Sequence, residues 1–243
     1  IPLPLPSVTN DTICEGEVAE LTATTGGANG NFYWFSAPDI NNLVYIGNPF
    51  LVSGLTSDTV FWVVENDGAC VSDTIRANVK VNPQPIGQFQ ISQACFGDST
   101  VFTDQSTGIE AGASYQIDYE NDGSIDASLP AGNFSYLAPT AGPFEVRVIL
   151  SNPSGCTDTF IQSYYVDSVP VVLFSADTVC EGEPTTFTDL SFFVSPGANY
   201  LWDFDGDGNI ESFTSGSQQF TYPTGGSYVA SLLIRNVTGC FAT

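Results

Sequence analysis

Six cysteines constrain this chain of 243 residues more than any other feature. Cys14, Cys95 and Cys180 stand in similar strings: Ile13-Cys14-Glu15-Gly16, Ala94-Cys95-Phe96-Gly97 and Val179-Cys180-Glu181-Gly182. Cys70, Cys156 and Cys240 each follow a small residue near a glycine, as Gly68-Ala69-Cys70, Gly155-Cys156 and Gly239-Cys240. The first set recurs at intervals of 81 and 85 residues, and the second trails it by 56, 61 and 60. A self-similar period of this size marks an array of like units. The length allows two or three compact ones. Six cysteines admit many connectivities; the repeat favours one bond inside each unit, Cys14–Cys70, Cys95–Cys156 and Cys180–Cys240. Each would close a loop worth roughly 4 kcal/mol in the chain-entropy description. Thiolate metal binding is the weaker alternative, because there is no CxxC and no His. Paired cysteines imply an oxidising compartment, extracellular and either secreted or at a cell surface.

Between the cysteines the hydrophobic pattern has a period of two. Val18 to Ala23, Thr100 to Thr103, Thr186 to Thr188, Phe144 to Leu150 and Tyr228 to Ile234 all alternate. Alternation in β-branched and aromatic residues predicts half-buried strands. Gly and Pro punctuate at short intervals, and no helical period is visible. Regularly spaced short strands predict an all-β chain of sandwiches. Pro-bearing linkers at Asn82-Pro83-Gln84-Pro85 and Asp167-Ser168-Val169-Pro170 divide it into residues 1–83, 84–168 and 169–243, joined as a semi-rigid string.

The second and third units share finer detail. Phe102-Thr103-Asp104 matches Phe187-Thr188-Asp189, and Tyr115 to Tyr119 matches Tyr200 to Phe204. Trp202-Asp203-Phe204-Asp205-Gly206-Asp207-Gly208 resembles the WDFGDG signature of PKD domains with an acidic residue inserted. The Phe-Thr-Asp-x-Ser string and the Gly-x-Tyr-x-Val run resemble that family as well. The second unit departs from the signature, with Ile117 at the Trp position. The first unit, with Phe32 to Phe35 and Phe61 to Val64, is similar to the Ig-like modules that accompany PKD domains in large secreted or cell-surface proteins of Bacteroidetes. The resemblance implies three tandem Ig-like β-sandwiches, of which the last two are PKD-like. Trp34 and Trp62 are expected in the core, the alternative being an exposed platform for sugar.

One constellation carries chemistry. Asp203, Asp205 and Asp207 alternate ahead of Gly208, Asn209 and Glu211, which matches the first half of a calcium loop. Calcium takes six to eight hard oxygen ligands. A tight loop can aim the three Asp inward, Asn209 can offer its backbone carbonyl, and Glu211 can close the shell. The second unit repeats the arrangement with Asp118, Glu120, Asp122, Ser124 and Asp126. Ca2+ is the expected cofactor, and an ordinary acidic turn is the alternative. The first unit has only Asn66-Asp67-Gly68, read as a hairpin turn.

Composition excludes more than it assigns. With 27 acidic against 4 basic side chains the formal charge is −23, which repels nucleic acid and anionic membranes. Without His, a Ser-His-Asp or Cys-His centre cannot form. A glycosidase pair needs two separated carboxylates across a cleft, and these acids crowd along single turns. We therefore expect no enzyme and no membrane insertion. No basic n-region opens the chain, and its start at Ile1 reads as a mature or excised piece.

Asp-Ser/Thr triplets at Thr12, Thr59, Thr74, Ser99, Ser168 and Thr178 resemble the O-glycosylation sequon of Bacteroidetes, and a modified hydroxyl must be exposed. After Cys70 and Cys156 a full strand follows, whereas after Cys240 only Phe241-Ala242-Thr243 remain. The third sandwich is therefore expected to lack its final strand, which a continuing chain or a neighbouring molecule could supply. These readings converge on a structural or adhesive segment of a surface protein or fibre, stiffened by one disulfide per unit and by calcium. Its partners would be neighbouring domains, copies of itself or surface glycans. The alternatives are a carbohydrate-binding accessory module of a secreted polysaccharide-degrading enzyme and a filament subunit assembling by strand donation.

Overall fold

The structure, a computed structural model, describes residues 3–27 and 30–243. Ile1 and Pro2, at the expected start of the first unit, lie outside the described residues. Among those residues the regular elements are strands and there is no helix. Three separate hydrophobic cores form, one per sandwich.

The first sandwich is built on a five-stranded sheet in the order Asp11–Cys14, Ile75–Asn82, Thr59–Asn66, Asn31–Phe35, Leu43–Ile46. Its first pair is parallel, with Cys14 opposite Asn82, and the rest is antiparallel. Two short ladders, Ala19–Leu21 with Phe50–Val52 and Ser7–Val8 with Ala23–Thr24, complete it. The second repeats the plan: Ala94–Cys95, Thr157–Asp167, Gly142–Ser151, Ser114–Asp118, Ala127–Pro130. Again the first pair is parallel, with Cys95 opposite Asp167. A three-stranded sheet, Phe89–Ile91, Thr100–Asp104 and Phe134–Tyr136, faces it.

The cores follow from the alternation. Trp34, Ile117 and Trp202 each hold the fourth position of a five-residue strand and are fully buried. The Trp34 indole N–H donates to the Gly47 carbonyl at 3.0 Å, as buried indoles usually do, whereas the buried Trp202 indole N–H has no partner among the described residues. Ile117 is smaller than Trp, and rings fill its sandwich instead. Phe102 stacks on Phe134 at 4.6 Å, and Phe89 meets Phe134 edge-on at 5.0 Å. Trp34 and Trp202 therefore offer no platform to a sugar, while Trp62 is half-buried.

Among the described residues the third sandwich has fewer paired strands. One sheet holds Asn199–Asp203, Ser231–Arg235 and Phe241–Ala242; the other holds Phe174–Ala176, Thr185–Asp189 and Gln218–Phe220. The alternation from Tyr228 predicts a strand that begins three residues before the one observed, which starts at Ser231. In the second sandwich the matching residues from Gly142 onward are strand because each pairs with Thr157–Asp167. Here Phe241–Ala242 pairs only with Ile234 and Arg235. Residues 227–230 have no such neighbour among the described residues. The Thr178–Cys180 segment loses its parallel partner for the same reason and is not a strand. Between these two segments lies an open groove of about 450 Å³, floored by Phe174, Phe187 and Tyr222.

Candidate functional site

The acidic loop of the third sandwich leaves the sheet at Asp203 and returns where the Glu211 N–H donates to the Trp202 carbonyl at 2.9 Å. Asp203 is buried at this pivot. Its two carboxylate oxygens accept the N–H groups of Gly206 (2.7 Å) and Gly208 (3.0 Å), which curls the loop around it. Gly206 has φ +75°, and a Cβ there would stand 2.5 Å from the Val229 carbonyl oxygen, so the turn admits only glycine. Glu211 reaches back to accept the Phe204 N–H at 2.8 Å. Asp205 accepts the Asp207 N–H, and Asp207 accepts the Asn209 N–H and side-chain amide. The Asn209 N–H, followed by its side-chain amide, holds the Asp207 carboxyl below its ordinary range. The result is a convergence: one carboxylate oxygen each from Asp203, Asp205, Asp207 and Glu211 lies within 4.8 Å of the others. Asn209, expected to offer its backbone carbonyl, donates its side-chain amide to Asp207 at 2.8 Å.

The second loop shares the pivot but not the convergence. Asp118 accepts the Asp122 and Gly123 N–H groups, Asp122 accepts the Ser124 N–H, and Asp126 accepts the Tyr119 N–H. Glu120, the counterpart of Asp205, turns away to accept the Tyr136 hydroxyl. Burial, reinforced by Glu120, pushes that phenol up. In the third sandwich the matching register position is Phe220, opposite Thr185 as Tyr136 is opposite Thr100. It has no hydroxyl to draw Asp205 away, and Asp205 joins the cluster, while Tyr222 donates to the Phe204 carbonyl at 2.6 Å.

The disulfides depart from the expectation. The bonds are Cys14–Cys156 and Cys95–Cys240, with Cα atoms 5.7 and 5.6 Å apart, while Cys70 and Cys180 are free thiols. None of Cys14–Cys70, Cys95–Cys156 and Cys180–Cys240 forms. The reason is topological. Parallel pairing sets Cys95 beside Asp167, at the downstream end of Thr157–Asp167. Cys156 immediately precedes the upstream end of that strand. Roughly 35 Å of extended chain separates the two ends, whereas a disulfide needs Cα atoms within about 7 Å. Cys14, beside Asn82, is set apart from Cys70 in the same way. Each bond therefore crosses a junction, from the first cysteine of one sandwich to the second cysteine of the next.

An asparagine accompanies each bonded second cysteine, four residues before it, and the sequence reading missed it. Asn152 donates its amide to the linker carbonyl of Pro83 (3.3 Å) and to Gly108 (2.9 Å), and its oxygen accepts the Glu110 N–H. Asn236 does the same for Ser168 (3.0 Å) and Phe193 (3.2 Å), and accepts the Ser195 N–H. Both are buried. The spacing Asn-x-x-x-Cys was the available signal, present three times as Asn66/Cys70, Asn152/Cys156 and Asn236/Cys240.

Of the sequon hydroxyls, Thr12, Thr74, Ser99 and Thr178 belong to exposed residues, and Thr59 and Ser168 are half-buried. Among the described residues no helix is long and apolar enough to cross a membrane.

This is an Ig-like fold, all-β sandwiches joined by disulfides, and it fits an extracellular protein. More particularly, residues 4–83 match the family described as Ig-like domain, CHU_C associated. No curated protein matches the chain. Among solved structures it is similar to the full ectodomain of mouse nectin-like molecule 4, at 14% identity and TM-score 0.43, covering 95% of this chain and 93% of that one. It is also similar to the fibronectin(III)-like modules of Clostridium thermocellum CbhA, at 12% identity and TM-score 0.34, covering 68% of this chain and 95% of that one. The I9–I11 tandem of titin gives 10% identity and TM-score 0.34, covering 96% and 92%.

Proposed function

We propose that the chain is a load-bearing, non-enzymatic segment of an extracellular surface protein or fibre. The observation that carries this reading is that both disulfides cross a junction between sandwiches. A bond inside a domain protects that domain. A bond across a junction removes a hinge and carries tension past the domains it spans. Asn152 and Asn236 add hydrogen bonds to the same junctions. The second and third sandwiches are PKD-type in this reading. Ca2+ binds the third acidic loop through Asp203, Asp205, Asp207 and Glu211 and ties the loop to its strand. The chain's neighbours are further domains of the same large protein or copies of itself, and surface glycans are its contacts. Pulling the chain from its two ends with and without reductant tests the proposal. Oxidised chains should reach full extension far short of reduced ones; equal extension would refute a load-bearing role for the two bonds.

A second reading, a filament subunit that accepts a donated strand, is favoured by the groove between Asp177–Cys180 and Ser227–Ala230. Concentration-dependent assembly that stops when the groove is filled by an added strand is its signature.

A further inference from the structure

The two free thiols occupy the two unfilled positions of the pattern that the bonded cysteines define. Cys180 matches Cys14 and Cys95, the cysteines that reach downstream, and it is exposed. Cys70 matches Cys156 and Cys240, the cysteines that receive, which are 1% and 2% exposed once bonded. Cys70 itself is half-buried. The receiving position is a built feature. Around Asn152 and Asn236 the loop is closed by a bond from the Asn N–H to the Cys carbonyl, at 2.9 and 2.8 Å, and the Asn amide grips the arriving linker. Asn66 stands at the same spacing before Cys70. There the Asp67 N–H donates to the Cys70 carbonyl at 3.2 Å, the Asp67 carboxylate accepts the Cys70 N–H at 2.8 Å, and the Asn66 oxygen accepts the Gly68 N–H. This loop is closed from Asp67, one residue after the asparagine, and the asparagine oxygen is turned onto its own turn.

We infer that Cys180 and Cys70 are the donor and acceptor halves of a third junction disulfide, joining the third sandwich to an Ig-like sandwich that presents an Asn-x-x-x-Cys loop. A second copy of this chain presents that loop as Asn66/Cys70. The contact is head-to-tail, so each copy that joins leaves one donor and one acceptor cysteine for the next, and the assembly extends beyond two copies. The chemistry balances with a small external disulfide such as oxidised glutathione. The Cys180 thiolate attacks it and releases one glutathione thiolate; the Cys70 thiolate of the second copy attacks the Cys180 sulfur of the mixed disulfide and releases the other. One protein disulfide forms, one glutathione disulfide is reduced to two thiols, and the two protons pass to the released thiolates. The inference rests on the junction pattern and not on the load-bearing reading.

The test uses the full chain in a glutathione redox buffer, as two variants, Cys70→Ser and Cys180→Ser. Each keeps both observed disulfides, which peptide mapping and an unchanged melting curve verify. The Cys70→Ser chain offers only Cys180, and the Cys180→Ser chain offers only Cys70. Mixed in equal amounts, they should give a dimer that stops at two chains, with the Cys180–Cys70 peptide in about tenfold excess over either like pair because docking raises the effective concentration of the correct partner. Asn66→Ala should reduce the crossed product without changing the rate at which Cys70 is alkylated. Crossed and like pairs in random proportion would overturn the inference, as would no dimer above that of the double serine variant.

Discussion

Three donors converge on the buried carboxylate of Glu65: the Thr25 hydroxyl at 2.6 Å and the Gly26 and Gly30 N–H groups, each at 3.1 Å. Burial pushes its pKa up, but the bonds from Thr25, Gly30 and Gly26 outweigh that and hold the group below its ordinary value. A carboxylate depressed in the folded state contributes stability above its unfolded pKa, near 4.3, and loses it as pH falls through the folded value. Glu65→Gln should therefore cost the first sandwich about 1–3 kcal/mol at pH 7. The variant should also lose much of the wild-type drop in stability below about pH 4, and urea melts at both pH values check this. The acidic loops make a second residue-scale prediction. Millimolar Ca2+ should raise the melting temperature of the third sandwich, and Asp205→Asn or Asp207→Asn should abolish the rise. Glu120→Gln in the second loop should leave the rise intact, because that carboxylate is committed to Tyr136. No calcium response in the wild type would reduce the loop to an ordinary turn.

At the scale of elements, a strand persists only where it has neighbours. Gly142–Ser151 runs ten residues because Thr157–Asp167 pairs along it. Its counterpart shrinks to Ser231–Arg235 where that neighbour is missing, although the alternation of residues continues upstream. Replacing residues 241–243 with the sequence of Thr157–Asp167 should restore the missing partner. Amides at 227–230 should then gain hydrogen-exchange protection, and the third sandwich should melt about 5 °C higher or more, the shift expected of a stabilisation near 1 kcal/mol. Unchanged exchange at 227–230 would mean that neighbour loss is not what melts this edge.

For the whole molecule, the two disulfides make a covalent network with three parallel paths. Residues 14–95, 95–156 and 156–240 all connect the same pair of bonds, and the shortest path limits extension. Fully unfolded, the oxidised chain spans residues 1–14, 95–156 and 240–243, about 77 residue steps, or about 270 Å at full extension. Cys14→Ser should lengthen this only to about 340 Å and Cys95→Ser to about 350 Å, because one bond still bypasses most of the chain. Removing both should release about 850 Å. Force spectroscopy reads these lengths directly. The strong non-additivity is the signature, and two equal, additive increments would contradict the crossed pairing. In thermal terms each bond closes a loop of more than 140 residues, worth about 5 kcal/mol in the chain-entropy description.

The strands, the repeat and the pivotal Trp34, Ile117 and Trp202 positions were legible in the sequence, because alternation and Gly/Pro punctuation act over a few residues. The acidic loop of the third sandwich was legible for the same reason: its ligand spacing is local. What separates it from the second loop was not, since only strand pairing brings Tyr136, distant in sequence, to Glu120, and sets Phe220, which has no hydroxyl, at the matching place in the third sandwich. The disulfide pairing was also beyond the sequence. Period alone cannot distinguish two cysteines in one unit from two in adjoining units. Tertiary structure decides, because a parallel first strand carries Cys14 and Cys95 to the downstream end of their sandwiches, while Cys156 and Cys240 remain at the upstream end of theirs.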